Sequence, residues 1–218
     1  KSIDWIAQQQ QPWFLWLAYN APHIPNHLPP SDLHTRQGLT GTPADIKNNT
    51  REYYFAAAEA LDTEMGRLLN SLTPETRANT VVIFIGDNGT HGTVSQPPVD
   101  PERAKFTVYE GGVRVPLVIA GRGGTGEYQR EDALINGTDL FVTIAQLAGY
   151  PNAARNDSVS FKNALTNPGF VGRDYVYTEF RQSDSITVWA VRNRQYKLID
   201  YSDGRKELFD LSVDPFEN

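Results

Sequence analysis

The most informative stretch of the chain is residues 79–89, which read NTVVIFIGDNG. Its apolar part, residues 81–85, is short and uninterrupted, and such a run is typical of a strand that is buried on both faces. Asp87 and Asn88 follow at once, beside glycines that favour a sharp turn. We therefore predict a buried strand with two polar side chains at its carboxyl end.

The regions around this strand have the alternating order of an α/β protein. Residues 13–19 form a second uninterrupted apolar run, and residues 115–120 form a third. Apolar residues recur at helical spacing in residues 50–72 and again in residues 138–148. Because strand, helix and buried strand are the repeating unit of a parallel sheet, we predict a partial, mostly parallel sheet with flanking helices over residues 1–170.

The character of the sequence changes after about residue 170. Short runs of β type follow one another, separated by turns. They lie at residues 174–180, 186–192, 195–201 and 207–211. Short strands joined by tight turns are typical of an antiparallel meander, so we predict a small antiparallel β subdomain at residues 171–218.

The composition excludes several classes of function. The 218 residues include 20 Lys and Arg against 26 Asp and Glu, so the formal net charge is -6. Nucleic acids and anionic membranes attract clustered basic residues, so neither is an expected partner. The absence of cysteine excludes disulfides, thiolate metal sites and a cysteine nucleophile within this chain. No apolar run approaches the roughly 20 residues of a transmembrane helix, and no signal peptide is visible in this chain.

Three polar groups are candidates for chemistry. Ligands of open α/β sheets bind beyond the carboxyl ends of the strands, where Asp87, Asn88 and His23 are predicted to lie. Carboxylate and amide oxygens suit Ca²⁺ or Mg²⁺, and Lys105 precedes a conspicuous glycine-rich turn. Each pattern also has a simple structural explanation, because Asp-Asn-Gly is a common turn sequence and single histidines and lysines are often surface residues.

Taken in order, these segments resemble the sulfatases of the alkaline-phosphatase superfamily. Residues 14–23 (FLWLAYNAPH) are similar to the strand of that family that ends in Ala-Pro-His, and residues 60–69 (ALDTEMGRLL) are similar to its Leu-Asp helix. Residues 79–89 resemble the metal-binding strand, with Gly86 where serine is usual. Residues 105–116 (KFTVYEGGVRVP) resemble the family's Lys-x-x-x-Tyr-Glu-Gly-Gly-x-Arg-x-Pro segment. The resemblance implies an alkaline-phosphatase-like fold, with the antiparallel C-terminal subdomain as part of it.

The resemblance also implies a role for each candidate residue. Asp87 and Asn88 would be ligands of a Ca²⁺ ion that holds the sulfate oxygens, with Mg²⁺ less favoured. Phosphate-transferring relatives usually have a histidine after this aspartate, and Asn88 argues against the second zinc that such a histidine binds. Lys105 would contact the sulfate and the bridging ester oxygen, and His23 would act as hydrogen-bond donor or general acid near the leaving oxygen.

Two further residues of the same segment have structural roles by this resemblance. Glu110 and Arg114 are expected to hold the glycine turn rather than to take part in chemistry.

One essential feature of the family is missing from these residues. Sulfatases attack sulfur with a formylglycine made from the Cys or Ser of a Cys/Ser-x-Pro-x-Arg motif. The only Ser-x-Pro, at residues 95–97, is not followed by that arginine. We therefore expect a C-terminal portion of a sulfatase whose formylglycine lies upstream and which has the missing N-terminal half as a partner. By itself, this portion is expected neither to turn over a sulfate ester nor to bind Ca²⁺ tightly.

The resemblance predicts that the parent enzyme hydrolyses a sulfate ester of a small molecule or glycan. Two alternatives remain at this point: a phosphate or phosphonate monoester hydrolase of the same superfamily, and a non-catalytic sulfatase-like binding domain. The resemblance favours a periplasmic or secreted location. An Asn-x-Thr sequon includes Asn88, and glycosylation there would contradict its role as a metal ligand.

Overall fold

The computed structural model describes residues 1–121, 130–167 and 169–218. These residues form two compact units, Lys1–Thr80 and Val81–Asn218. The domain division expected from the sequence, after residue 170, stays a prediction. Within the described ranges, no helix is both long enough and apolar enough to cross a bilayer.

The first unit is helical. Its helices are α1 (Ser2–Ala7), α2 (Pro43–Asn48), α3 (Thr50–Asn70) and α4 (Pro74–Asn79). Helix α2 begins at a proline after Thr42, whose hydroxyl accepts the N–H of Asp45 at 3.3 Å. Such caps satisfy N–H groups that have no partner within the helix. Helix α3 confirms the helix predicted for residues 50–72.

The helical spacing predicts that one stripe of α3 packs inward, but a different face is the most deeply buried. The predicted stripe comprises Tyr54, Ala58, Leu61, Met65, Leu68 and Leu72. The fully buried residues of α3 are Tyr53, Ala56, Ala57 and Ala60. The predicted stripe of larger residues, which includes Tyr54 and Leu61, is only half-buried. Small alanines allow the closest packing, so the helix turns this side inward.

The strand predicted at residues 13–19 is wrong for this structure. These residues have no strand partner among the described residues, and the side chains of Phe14 and Trp16 are 61% and 69% exposed. The side chain of Trp13 instead contacts Trp5 edge to face, with ring centroids 6.1 Å apart. A strand that is buried on both faces needs neighbours in the sheet and layers above and below it, and hydrophobicity alone does not supply them.

The second unit contains all the strands that the structure describes. Its elements are β1 (Val81–Ile85), α5 (Glu110–Val113), β2 (Leu117–Gly121), α6 (Asp139–Leu147), β3 (Val176–Arg181), β4 (Thr187–Arg192), β5 (Tyr196–Tyr201) and β6 (Lys206–Asp210). Short 3₁₀ turns occupy Pro101–Arg103 and Lys162–Leu165. The positions of β1, β2 and α6 confirm the elements predicted there.

The pairing of β1 differs from the prediction. Strands β1 and β2 run antiparallel, with Val81 opposite Gly121 and Ile85 opposite Leu117, so the expected parallel pairing is wrong for these two strands. The chain returns from β1 to β2 through loops and the single-turn helix α5, whereas a parallel pair needs a crossover that carries the chain back to the starting edge. Strand β1 is half-buried along its length rather than fully buried.

The predicted C-terminal antiparallel subdomain is confirmed. Strands β3, β4, β5 and β6 form a four-stranded sheet in sequence order, with each neighbouring pair antiparallel. The buried cluster on this sheet comprises Val108, Val188, Ala190, Ile199 and Tyr201. Val108 belongs to the segment that resembles the sulfatase glycine turn, so this segment packs directly on the sheet.

Truncating the centre of this cluster should weaken the fold. Ile199 is 0% exposed, and Ile199→Ala is expected to lower the free energy of unfolding by about 2–5 kcal/mol through lost burial and a residual cavity. Leu208→Ala, on the same sheet but at 70% exposure, is the control and should change it by less than about 0.5 kcal/mol. Urea unfolding monitored by circular dichroism compares the two, and equal effects would contradict the assigned core.

The loop before α2 is tied to α3 through Asp45. Its carboxylate accepts hydrogen bonds from the Tyr53 hydroxyl, the Thr40 N–H (2.8 Å) and the Asn49 amide (2.6 Å). These bonds, that of Tyr53 foremost, lower the pKa of Asp45 from 3.8 to about 2. Because the folded-state pKa lies below the unfolded value, Asp45 stabilises the fold above the unfolded pKa, and this contribution is lost as the pH falls towards 2.

In Asp45→Asn, the free energy of unfolding should therefore fall less steeply as the pH is lowered from about 4 to 2, because the amide does not titrate. Unfolding midpoints in urea, measured across this range, provide the comparison. Tyr53→Phe, which removes the strongest of the three hydrogen bonds, should give an intermediate slope. Identical slopes for wild type and Asp45→Asn would rule out this linkage.

Candidate functional site

The end of β1 presents two oxygen atoms without internal partners. Asp87 Oδ1 accepts the N–H of Asn88 at 2.9 Å, and Asn88 Nδ2 donates to the Gly89 carbonyl at 3.0 Å. Among the described residues, no donor reaches Asp87 Oδ2 or Asn88 Oδ1. Both side chains are exposed. The corner at Asp87 and Asn88 therefore offers one carboxylate and one amide oxygen to a ligand.

The chemistry of these two donors fits a hard cation. Ca²⁺ takes six to eight oxygen ligands, so two protein oxygens are a suitable but incomplete set. Over residues 1–121, 130–167 and 169–218, no group of three or more His, Asp or Glu side chains is arranged to hold a metal. Further ligands must therefore complete the coordination if Ca²⁺ binds at this corner.

Backbone hydrogen bonds fix the corner against residues 105–116. Three N–H donors share this role. They are Gly86 to the Pro116 carbonyl (3.0 Å), Gly89 to the Gly112 carbonyl (2.8 Å) and Lys105 to the Thr90 carbonyl (2.9 Å). The sequence candidates Asp87, Asn88 and Lys105 are thus brought together on two loops that are joined to each other.

The two loops approach each other more closely than side chains would permit. A Cβ atom at Gly89 would lie 1.9 Å from the Gly111 carbonyl oxygen and 2.7 Å from the Gly112 Cα. A Cβ at Gly112 would in turn lie 2.3 Å from the Thr107 carbonyl oxygen. The glycines of the sulfatase-like pattern are therefore required by backbone contact.

Gly89→Ala should separate the loops and destabilise the second unit by about 1–3 kcal/mol, the usual effect of overpacking. Gly66→Ala is the matched control, because a Cβ at Gly66 in α3 meets nothing within 4 Å. That control should stabilise by about 0.5–1 kcal/mol, since alanine favours helix. Thermal unfolding of both variants measures the difference, and a neutral Gly89→Ala would refute the close contact.

The backbone of Lys105 is joined to the corner loop at Thr90, and the charge of its side chain is uncompensated among the described residues. Its Nζ atom is 5.3 Å from the centroid of the Phe106 ring, and within the described part of the chain no carboxylate pairs with it. Phe106 has a φ of 70° and is exposed, and a bulky residue in this region of φ is strained. A half-buried cation whose backbone is joined to the loop of Asp87 and Asn88 would be suited to binding an anion.

The structure adds His91, which the sequence reasoning did not single out. Its Nδ1 accepts the N–H of Thr93 at 3.3 Å and lies 2.9 Å from the Thr93 hydroxyl, so the neutral ring carries its proton on Nε2. The ring contacts Phe106 edge to face at 6.4 Å. Its position shortly after the Asp-Asn-Gly turn was the available signal.

His23 belongs to the first unit and is exposed. Its Nδ1 donates to the Ile24 carbonyl at 2.6 Å, and its backbone N–H donates to the Asn20 carbonyl at 2.8 Å. With the proton on Nδ1, Nε2 of the neutral ring is a proton acceptor, and it becomes a donor when the ring is charged. This arrangement is compatible with acid or base chemistry.

The glycine turn is held by a buried ion cluster. The Glu110 carboxylate contacts Arg192 and, at 3.1 Å, Lys197. Lys197 also pairs with Glu217 at 2.9 Å, and Glu217 accepts the Glu110 N–H at 2.5 Å. Burial raises the pKa of Glu217, and the charge of Lys197 opposes that rise. The structure therefore places Glu110 where the sequence predicted a holding role.

The prediction that Arg114 also holds the glycine turn is wrong for its side chain. It is exposed and has no hydrogen bond or ion pair with the residues that the structure describes, and only its backbone N–H reaches the Glu110 carbonyl at 2.9 Å. The stabilising basic partners come instead from β4 and β5, which no local sequence pattern indicated.

Two family models match this chain. The model described as Sulfatase matches residues 1–150, and the model described as N-sulphoglucosamine sulphohydrolase, C-terminal, matches residues 103–218. Because the Sulfatase model matches more than half of the chain, the chain belongs to the sulfatase family. The overlap of the two models contains the whole glycine-turn segment at residues 105–116.

Curated relatives are longer than this chain. Arylsulfatase K of Mus musculus is 27% identical over 226 residues, which cover 94% of this chain and 40% of the relative. The uncharacterized sulfatase YdeN of Escherichia coli is 31% identical over 167 residues, which cover 72% of this chain and 28% of the relative. The chain thus spans less than half the length of these relatives.

Solved structures have the same fold and confirm the alkaline-phosphatase-like class. The crystal structure of Ps i-CgsB is 25% identical with a TM-score of 0.73, covering 100% of this chain and 47% of that one. The same protein was also solved in complex with k-i-k-neocarrahexaose, where the TM-score is 0.70. A phosphonate monoester hydrolase of Agrobacterium radiobacter, 22% identical with a TM-score of 0.59, covers 81% of this chain and 37% of that one and shares the fold.

Proposed function

We propose that this chain carries metal-binding and sulfate-binding residues of an enzyme that hydrolyses sulfate esters. The observation that carries the proposal is the corner at Asp87 and Asn88, which has two free side-chain oxygens and whose loop is joined by backbone hydrogen bonds to the loop of Lys105. Membership of the sulfatase family supports the reaction class.

Asp87 and Asn88 are the residues of this chain that would hold Ca²⁺. Bound there, the ion would stabilise negative charge on the sulfate oxygens. Lys105 supplies a second positive charge from the other loop and is assigned to the ester oxygen, where charge develops as the S–O bond breaks. A preorganised cation lowers the barrier because it needs no reorganisation during the reaction.

We assign the nucleophile to residues outside these 218. The chain has no cysteine, and its one Ser-x-Pro serine is unsuited to attack. Ser95 is buried, and its hydroxyl donates to the Gly92 carbonyl at 3.0 Å. A formylglycine supplied from elsewhere is the proposed nucleophile.

His23 is assigned to proton transfer at the leaving oxygen. Its Nδ1 is held by the Ile24 carbonyl at 2.6 Å, which leaves Nε2 to hold or release the proton. Histidine is the side chain most often used for proton transfer in enzymes.

For the substrate we propose a sulfated saccharide. The C-terminal family model is described by the name of a sulphoglucosamine hydrolase, and a structural relative was solved with a neocarrahexaose. A phosphate or phosphonate monoester is the second candidate, because a phosphonate monoester hydrolase shares the fold. Asn88 favours the sulfate ester, since an amide oxygen suits Ca²⁺ better than the zinc of phosphatases.

Lys105→Met tests the proposal in the complete enzyme that supplies the nucleophile. Loss of a cation aimed at the developing charge should lower kcat/KM for an aryl sulfate by about 10²–10³-fold. Lys47→Met, in the last turn of α2, is the matched control and should stay within two-fold of wild type. Steady-state kinetics with aryl sulfate, aryl phosphate and aryl phosphonate give the comparison.

The 218-residue chain alone is the negative control and should give no turnover. A wild-type enzyme that prefers the phosphate or phosphonate would replace the sulfatase proposal with the second candidate. An enzyme inactive on all three esters would leave a non-catalytic binding domain as the better description.

A further inference from the structure

The buried ion cluster lies apart from the proposed chemistry, yet it is connected to it. Lys197 is 1% exposed, Glu217 is 0% exposed and Glu110 is 4% exposed, and Arg192 completes the cluster with a second positive charge. Two carboxylates and two cations balance in charge. The cluster joins α5 to strands β4 and β5 across 82 and 87 residues of sequence.

Stability alone is a poor reason for such a cluster. Removing charges from water is so unfavourable that a buried ion pair often adds no more stability than packed apolar side chains of similar volume. An ion pair does, however, specify one position and one orientation, because each charged group needs its partner at hydrogen-bond distance. The cluster is therefore better suited to fixing the location of α5 than to strengthening the fold.

A short series of direct contacts runs from the cluster to the proposed metal ligands. Lys197 holds the Glu110 side chain, and Glu217 holds the Glu110 N–H. Gly111 and Gly112 come next in the chain, and they are the residues whose backbone Gly89 touches. The Gly112 carbonyl accepts the Gly89 N–H at 2.8 Å, directly after Asn88.

Tyr109, the residue before Glu110, is held by the same C-terminal sheet. The Tyr109 hydroxyl contacts both Glu207 oxygens at 2.8 and 2.9 Å and the Tyr201 hydroxyl at 3.1 Å. Burial, then these two partners, raise the pKa of Tyr109 well above its ordinary value, so the hydroxyl stays protonated and donates. Arg103 stacks over the Tyr109 ring at 4.9 Å. Two successive residues, Tyr109 and Glu110, thus anchor the glycine turn to β5 and β6.

We propose that Glu110 and Lys197 are positioning residues, through which the C-terminal sheet sets the location of the corner at Asp87 and Asn88 and of Lys105. The inference rests on the proposed function for its catalytic consequence. Its structural part, that the ion cluster orders the two site loops, stands separately. A displacement of about 1 Å at a catalytic group is enough to reduce a rate by 10²-fold.

Lys197→Met alone removes the cation that lies between Glu110 and Glu217 and leaves the buried Glu217 without a positive partner. This variant should destabilise the second unit strongly. The double variant Glu217→Gln with Lys197→Met removes one charge of each sign, leaves the Glu110–Arg192 pair in place and should recover most of the stability.

The kcat of the double variant should nevertheless stay at least ten-fold below that of wild type, with KM changed less than three-fold. The reason is that Lys197 no longer holds the Glu110 side chain. Lys206→Met, on β6 at an exposed pair with Asp200, is the control and should match wild type.

Amide hydrogen exchange of residues 86–92 and 105–116 provides a readout independent of turnover. In the complete enzyme, the double variant should exchange faster at both segments, while Lys206→Met should not. A stable double variant with wild-type exchange and wild-type kcat would overturn the positioning role. If the wild-type enzyme hydrolyses no sulfate ester, the proposed function fails. The structural part is then still decided by the double variant: faster exchange at the two segments supports it, and unchanged exchange contradicts it. If neither Lys197 variant folds, Tyr109→Phe, which keeps the ring and removes the hydroxyl, should show the same faster exchange, and wild-type exchange would count against the proposal.

Discussion

The contact between Gly89 and the Gly111–Gly112 backbone is the constraint on which the site depends. It allows the end of β1 and the glycine turn to lie at backbone distance, so that Asp87, Asn88 and Lys105 are carried by one rigid pair of loops. A side chain at Gly89 would separate them. The oxygens proposed to bind a metal and the cation proposed to bind an anion are therefore carried on a backbone that main-chain contacts hold in place.

The glycine turn contacts both the end of β1 and the C-terminal sheet. On one side it holds β1, whose neighbour is the antiparallel β2. On its other side it packs on the C-terminal sheet through Val108, Tyr109 and Glu110. Both family models include this segment. The C-terminal sheet is thus joined physically to the candidate site, although none of the proposed ligands lies on it.

Much of this organisation follows from local sequence, and the remainder depends on partners that are distant in sequence. The helical spacing of residues 50–72, the apolar run at residues 81–85 and the short β runs after residue 170 each predict the observed element. Residues 13–19 do not, because hydrophobicity cannot specify which strand lies beside them. Strand direction is likewise absent from periodicity, so the antiparallel pairing of β1 and β2 was missed. Lys197 is buried while its neighbour Leu198 is 42% exposed, and the charges of Glu110 and Glu217, both distant in sequence, explain that inversion.

The buried cluster also has a consequence for the order in which the protein is made. Glu110 contacts Lys197 and Glu217, which lie 87 and 107 residues further along the chain. Contacts of such long sequence separation form late, because the intervening chain must first be ordered. During translation, Asp87, Asn88 and Lys105 leave the ribosome long before Glu217 does. The two loops therefore reach their final arrangement only after Glu217 has left the ribosome, and a nascent chain that is released before that point would keep the proposed ligands without the support that orients them.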